Sequence, residues 1–86
     1  MRPAEVKSLI ARGLPDGSRV EVGSEDGLHF HAVVVSGAFA GEGHVQRHQR
    51  VYRCLDQQLQ SGEIHAISLK TCTPEEWESE GRDLSP

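Results

Sequence analysis

The hydrophobic pattern of the first 36 residues predicts a helix followed by a β-hairpin. Apolar residues recur at the spacing of one helix face from about residue 3 to residue 12, so a helix is predicted over 3–12. Val20 and Val22 then alternate with polar neighbours, and residues 29–36 are β-branched and apolar. These two stretches are typical of paired strands, joined by the polar turn residues between them.

The next segment predicts a loop and a central helix. Residues 37–43 are rich in glycine and small side chains, with Phe39 as a lone large apolar anchor, which indicates a loop or a short helical turn. A helix is then predicted to run until Ser61 and Gly62 end it. Its predicted apolar stripe consists of Val45, Val51, Tyr52, Leu55 and Leu59.

A strand and a short helix complete the pattern. Residues 64–71 return to strand character. Alternation along this strand predicts three residues on its core-facing side: His65, Ile67 and Leu69. Residues 73–76 read TPEE, a capping box with proline at the first helical position, so a C-terminal helix carrying Trp77 is predicted to start there.

The predicted order is therefore α-β-β-α-β-α, an α+β fold with a three-stranded sheet. We expect one domain over residues 1–80 and a disordered tail over 81–86. With 86 residues and 36% hydrophobic content, the chain can build a small core but cannot also enclose a large substrate cavity. No nucleophile, base and orienting acid stand out together, so we expect a protein that is not an enzyme.

Charge restricts the partners of the chain. Its formal net charge of -4 repels phosphate backbones and anionic membranes, so a nucleic-acid site would have to be local. The candidate is the run 44–53, which holds Arg47, Arg50 and Arg53 without an acid, although such a run is usually a solvated helix face. Within it, His48 is predicted to pack against or cap the helix, and it is also a candidate for contact with a partner or nucleic acid.

The two cysteines and the N-terminus suggest a compartment. Cys54 and Cys72 form no CxxC pair and are too few for a disulfide framework, which favours reducing conditions. Charged residues interrupt every apolar run near the N-terminus, so no signal peptide or membrane span is predicted and the cytoplasm is the expected location. A neighbouring arginine can lower the pKa of a thiol such as that of Cys54, but the commoner role of such a cysteine is that of a small packed residue.

Four motifs occur in an order and at a spacing that resemble the signature of the BolA family. They are FxG at 39–41, VxRHQxVYxxL at 45–55, IHAISLK at 64–70 and TPEEW at 73–77. Together with residues around the second predicted strand, they cover most of the chain. The resemblance implies an α+β fold like that of a class II KH domain, with a three-stranded sheet.

The resemblance also implies a function in iron–sulfur chemistry. Members of this family pair with monothiol glutaredoxins that carry a CGFS active site, and the two proteins share a [2Fe–2S] cluster with glutathione. The family's histidine ligand stands here as His65. We therefore expect an adaptor in cluster trafficking or iron and redox regulation, with no cofactor in the isolated protein. Lys70 and Trp77 are candidates for partner contact, and a weak homodimer stays open.

The second cluster ligand is left open by the sequence. In many family members it comes from a longer loop between the first two strands, whereas the tight hairpin GSEDGLHF resembles the short-loop IbaG branch. His29 is the leading candidate because it ends the turn. His31 shares its strand face but is expected to be structural or exposed, and Cys72 is expected to replace an aromatic residue rather than to bind metal.

A nucleic-acid-binding regulator is the alternative function. It would use the KH-like architecture and the basic helix 44–53, with Arg47, Arg50 and Arg53 contacting phosphates. The turn before that helix weakens this reading, since residues 40–43 are not a GXXG clamp and include Glu42.

Overall fold

A computed structural model describes residues 1–81 of the chain, and the remainder of the predicted tail, residues 82–86, lies outside that part. The observed elements are α1 (Pro3–Arg12), β1 (Arg19–Ser24), β2 (His29–Val35), a 3-10 turn (Gly37–Phe39), α2 (His44–Cys54), α3 (Asp56–Ser61), β3 (Ala66–Cys72) and α4 (Pro74–Glu76), which continues as a π-helical turn (Trp77–Gly81). The predicted α+β class and element order are confirmed, with the central helix divided in two. None of these helices is long and apolar enough to cross a membrane.

The three strands form a mixed sheet with β2 in the centre. β1 pairs with β2 in antiparallel fashion, as the predicted hairpin requires, and β3 pairs with β2 in parallel. The chain returns from β2 to β3 through α2 and α3, because a parallel neighbour can be reached only by a crossover connection. This topology brings the first residues of β2 and β3 to the same edge of the sheet.

The core lies between one face of the sheet and the helices. Along β2, Phe30, Ala32 and Val34 point into the core, in the alternation that a half-buried strand requires. Phe39 is fully buried, so the predicted anchor in the glycine-rich loop is confirmed. The cluster of buried residues on this face consists of Val6, Ile10, Leu14, Val20, Phe30, Ala32, Val34, Phe39, Val51, Leu55, Ile64 and Ile67.

Several predicted boundaries match the observed ones. The first helix spans residues 3–12 as predicted, and the hairpin strands lie where alternation placed them. The capping box is also confirmed, since the Thr73 hydroxyl accepts the Glu76 N–H at 3.2 Å and the Glu76 carboxylate accepts the Thr73 N–H at 2.9 Å. These features depend on contacts between near neighbours in sequence.

The predicted stripe of the central helix is wrong in part. The helix is interrupted at Leu55, which separates α2 from α3. Its buried face carries Arg47, Val51 and Leu55, spaced four residues apart, whereas Val45 is 71% exposed and Tyr52 is 39% exposed. The hydrophobic pattern misplaced this face because a paired arginine, rather than Val45, occupies the position one turn before Val51.

Candidate functional site

His65 lies on the surface immediately before β3, so its predicted core-facing position is wrong. Its side chain is exposed, whereas Ile64 and Ile67 on either side of it are buried. The two buried residues are three apart, so regular alternation cannot include both, and the chain bends at His65 instead. The His65 N–H donates to the carbonyl of Leu28 at 2.8 Å, which fastens the bend to the hairpin.

His29 and His65 are neighbours at the edge where β2 and β3 begin. The parallel register pairs His29 with Ala66, the residue that follows His65. Their imidazole centroids are 5.7 Å apart, with the rings nearly perpendicular at 83°. Both side chains are exposed. The structure thus brings the two predicted ligands together, and their role as ligands stays a prediction.

Asp26 organises the turn that presents His29. Its Oδ1 accepts the backbone N–H groups of Leu28 and His29 at 2.9 and 2.8 Å, while its Oδ2 lies 2.7 Å from His29 Nδ1. The Ser24 hydroxyl donates to the His29 carbonyl at 2.7 Å. Gly27 adopts a φ of 75°, a left-handed conformation that favours glycine. The tight hairpin is therefore held by its own side chains.

The charge state of Asp26 determines what the His29 ring can do. Hydrogen bonds from the backbone of His29 and Leu28, followed by the His29 side chain, hold the pKa of the Asp26 carboxyl well below its usual range. An ionised carboxylate only accepts hydrogen bonds, so His29 Nδ1 carries the proton of this contact, and in the neutral imidazole Nε2 is then the nitrogen with the free lone pair. Sequence reasoning missed Asp26, although an acid three residues before a turn histidine was the available signal.

The other two candidates for the second ligand are placed elsewhere. The His31 ring packs over Gly23 on β1, where a Cβ at position 23 would clash with it, on the opposite side of β2 from His65. Cys72 is buried at 6% exposure. It also ends the strand that His65 precedes, roughly 20 Å away at about 3.3 Å per residue. Cys72 is therefore distant from His65 along the sheet.

The histidine pair offers an incomplete set of metal ligands. Within residues 1–81, no group of three or more His, Cys, Asp or Glu side chains is arranged to hold a metal ion. Two imidazoles fit two ligand positions of an iron–sulfur cluster, for which four protein or small-molecule ligands are usual. The remaining ligands would have to come from another molecule.

Arg47, predicted as a phosphate contact, is buried at 6% exposure and bonded within the chain. Its Nη1 and Nη2 donate to the two carboxylate oxygens of Glu76 at 2.6 and 3.0 Å. Nε donates to the Glu42 carbonyl at 2.8 Å, and Nη1 also reaches the Thr71 carbonyl at 3.3 Å. The guanidinium lowers the pKa of Glu76 from its ordinary value of 4.5 to about 2. Arg47 is therefore unavailable to phosphate, and this prediction is wrong.

Arg50 is likewise engaged within the chain. Its Nε and Nη2 donate to the Glu42 carboxylate at 3.1 and 2.6 Å, which lowers the pKa of Glu42. The run 44–53 contains no acid, but acids from the preceding turn and from α4 fold onto it. Arg53 is exposed and makes no ion pair among the residues that the structure describes. The basic helix is thus largely neutralised.

Two of the remaining predicted contact residues, His48 and Lys70, lie at a shallow groove of about 460 Å³ beside α2. The groove is lined by His44, His48, Leu69, Lys70, Thr71, Cys72 and Glu76. His48 is half-buried and packs edge-on between His44 and Tyr52, so its predicted packing role is confirmed. Trp77 lies apart, with the Arg19 guanidinium 5.8 Å from its ring centroid.

Cys54 is a packed residue. Its Sγ lies 3.5 Å from the Arg50 carbonyl and 3.9 Å from the Ile10 carbonyl, between α2 and α1. Burial raises the pKa of the thiol and outweighs the opposing effect of Arg50 and Arg53. The arginine-activated thiol considered from the sequence is therefore not found.

Comparison with known proteins gives consistent matches. The family model described as BolA-like protein matches residues 15–76. The chain is 47% identical over 62 residues to the DNA-binding transcriptional regulator BolA of Haemophilus influenzae, which covers 72% of this chain and 57% of that protein. It is 37% identical over 77 residues to the acid stress protein IbaG of Escherichia coli, covering 90% of this chain and 89% of IbaG.

Solved structures agree with the sequence matches. A bolA protein homologue from Coxiella burnetii has a TM-score of 0.79 and 43% identity, covering 91% of this chain and 97% of that one. The residues matched by the family model include the hairpin, the central helix and the strand that follows His65. The chain spans little more than half of the H. influenzae relative but most of IbaG. The predicted family is confirmed: the chain belongs to the BolA family.

Proposed function

We propose that the chain is a non-enzymatic adaptor that pairs with a monothiol glutaredoxin and supplies imidazole ligands to a shared [2Fe–2S] cluster. The observation that carries this proposal is the side-by-side placement of the exposed His29 and His65 rings, 5.7 Å apart at one edge of the sheet. Two nitrogen donors at a protein surface suit a site completed by a second molecule.

The chemistry of the donors supports the pairing. Imidazole in place of thiolate removes negative charge from a cluster and raises its reduction potential. Within this chain, the hairpin orients His29 through Asp26, and the backbone bond to Leu28 fixes the start of β3 where His65 stands. The thiolate ligands are expected from the active-site cysteine of the glutaredoxin and from glutathione, since Cys54 and Cys72 are half-buried and buried.

The test is reconstitution of the shared cluster. The chain is mixed with a CGFS glutaredoxin, glutathione, iron and sulfide, and visible absorption and circular dichroism are recorded for wild type, His65→Ala, His29→Ala and His44→Ala. His44 is an exposed histidine on α2 and serves as the matched control. We expect the cluster spectrum of the complex to change with His65→Ala and His29→Ala and to persist with His44→Ala.

Two results would count against the proposal. Failure of the wild-type chain to form a complex under these conditions would remove the adaptor function itself. A wild-type spectrum in both the His65→Ala and His29→Ala complexes would instead show that neither imidazole binds the cluster.

The second candidate function is nucleic-acid binding. It is favoured by the similarity of the chain to the H. influenzae relative, which is named a DNA-binding transcriptional regulator. Arg53 is the exposed arginine left on α2 to contact phosphate, because Arg47 and Arg50 are bonded to Glu76 and Glu42. Binding to duplex DNA measured across salt concentrations tests it. Phosphate contact requires affinity to fall steeply with salt, and Arg53→Ala to reduce the slope by about 1.

A further inference from the structure

We infer that Asp26 is the positioning residue of the histidine site: its carboxylate fixes the His29 imidazole in the tautomer whose Nε2 is free to bind a metal. The assignment of iron as that metal rests on the proposed function. The tautomer itself is a property of this chain alone and can be measured without a partner.

The two oxygens of the Asp26 carboxylate bond to different groups. Oδ1 accepts two backbone N–H groups, those of Leu28 and His29, and these bonds hold the carboxylate in one orientation. Oδ2 is thereby directed at His29 Nδ1, 2.7 Å away. The His29 side chain is 62% exposed, and such a side chain would otherwise exchange between rotamers and tautomers. Asp26 removes that freedom.

A carboxylate behind the imidazole is the arrangement that metal-ligating histidines commonly have. It fixes the ring, keeps the proton on the far nitrogen and raises the basicity of the ligating one. His65 differs, because its side chain makes no hydrogen bond among the residues that the structure describes and only its backbone is fastened to Leu28. The tight hairpin therefore places one oriented ring nitrogen of His29 beside the His65 ring, without a long loop.

The substitution Asp26→Asn tests the positioning of the His29 ring without removing the hydrogen bonds that shape the turn. The asparagine oxygen still accepts the two backbone N–H groups, so the turn is kept, but its amide now donates towards Nδ1 and favours the tautomer with the proton on Nε2. Ser24→Ala is the matched control. It removes the hydroxyl that bonds the His29 carbonyl and the Gly27 N–H and that lies 3.4 Å from Asp26 Oδ1, and it leaves the contact of Asp26 Oδ2 with the ring in place.

The first readout is the pair of ring-nitrogen chemical shifts of His29, taken from long-range ¹H–¹⁵N spectra in alkaline buffer, where imidazole is neutral. Wild type and Ser24→Ala should show Nδ1 protonated and Nε2 bare, and Asp26→Asn should lose that preference. The second readout is titration of the isolated chain with Zn²⁺ alone, followed on the His29 and His65 ring nitrogens. Asp26→Asn should bind about 10-fold more weakly than wild type.

Three results would overturn the inference: an unchanged His29 tautomer in Asp26→Asn, no response of the His29 ring to Zn²⁺ in wild type, or an equal loss in Ser24→Ala and Asp26→Asn. The last would indicate that the turn, and not the carboxylate behind the ring, matters. If the glutaredoxin complex fails to form while both readouts behave as expected, the proposed function falls and the Asp26 assignment stands.

Discussion

Polar groups near the start of β3 are exposed, whereas polar groups near its end are bonded within the chain. Before its first residue, His65 stands beside His29 on an exposed edge, and within residues 1–81 the His65 ring makes no hydrogen bond, while the His29 ring makes one, through Nδ1 to Asp26. Near its last residue, the Arg47 guanidinium on α2 donates to the Thr71 carbonyl of β3 and to the Glu76 carboxylate of α4. One end leaves imidazole nitrogens exposed to solvent, and the other uses polar groups to hold the helices on the sheet.

This comparison distinguishes polar residues that are available for binding from polar residues that hold the fold together. A buried cation must be paired, because an unpaired charge in the interior is strongly destabilising. An exposed imidazole needs no internal partner and can be replaced with little cost to folding. Arg47, which the chain buries and pairs, therefore belongs to the scaffold, whereas the exposed His65 ring is not needed to hold the fold together.

The largest expected effect is at the bonded end. Arg47→Ala removes the guanidinium donor from the Glu42 and Thr71 carbonyls and from the Glu76 carboxylate, which keeps only the Thr73 N–H. We expect the free energy of unfolding to fall by about 2–3 kcal/mol. Urea unfolding at neutral pH measures it. Arg53→Ala, on the exposed face of the same helix, is the control and should change stability by less than about 0.5 kcal/mol. Equal effects of the two substitutions would show that the paired end of β3 does not depend on the bonds of Arg47.

An intermediate effect is expected in acid. The folded-state pKa of Glu76 is about 2, below its ordinary value of 4.5, because Arg47 and the Thr73 N–H bond the carboxylate. A lowered pKa stabilises the fold above pH 4.5, and this contribution disappears as the pH falls towards 2. Urea midpoints measured from neutral pH to pH 2 should therefore fall less steeply for Glu76→Gln than for wild type.

Some acid sensitivity should remain in Glu76→Gln, because the pKa values of Asp26 and Glu42 are also lowered in the folded chain. A profile for Glu76→Gln that is parallel to wild type throughout the acid range would show that the Arg47 contact does not contribute to acid stability.

The smallest stability effect is expected at the open end. His65→Ala keeps the backbone N–H that bonds Leu28, and the lost imidazole is exposed, so stability should stay within about 0.5 kcal/mol of wild type. The same substitution is expected to alter the shared cluster. Thermal and urea unfolding of the isolated chain check this. A substantial loss of stability would assign His65 to the scaffold and would make its effect on the cluster indirect.

Features set by near neighbours could be predicted from the sequence. The capping box at Thr73 and Glu76, the first helix and the hairpin depend on residues a few positions apart, and they occur where expected. The BolA signature added the histidine at position 65. The hairpin turn made His29 a candidate, and parallel pairing in the structure places the two rings together.

Features set by distant partners could not be predicted in the same way. Arg47 is buried because Glu76, 29 residues away, neutralises it. No local sequence pattern along α2 indicates that pairing. The bend at His65 arises because Ile64 and Ile67 both enter the core, which strand alternation alone cannot anticipate. Asp26 was overlooked because its contact with His29 depends on the three-dimensional shape of the turn.

The parallel pairing of β2 with β3 has a consequence for how a new chain matures. The hairpin needs only local contacts, whereas β3 must pair with β2 across the whole intervening segment, and such non-local pairing is intrinsically slow. His29 gains its histidine neighbour only when this pairing forms. A nascent or incompletely folded chain therefore lacks the paired imidazoles, so the site itself distinguishes a finished molecule from an unfinished one.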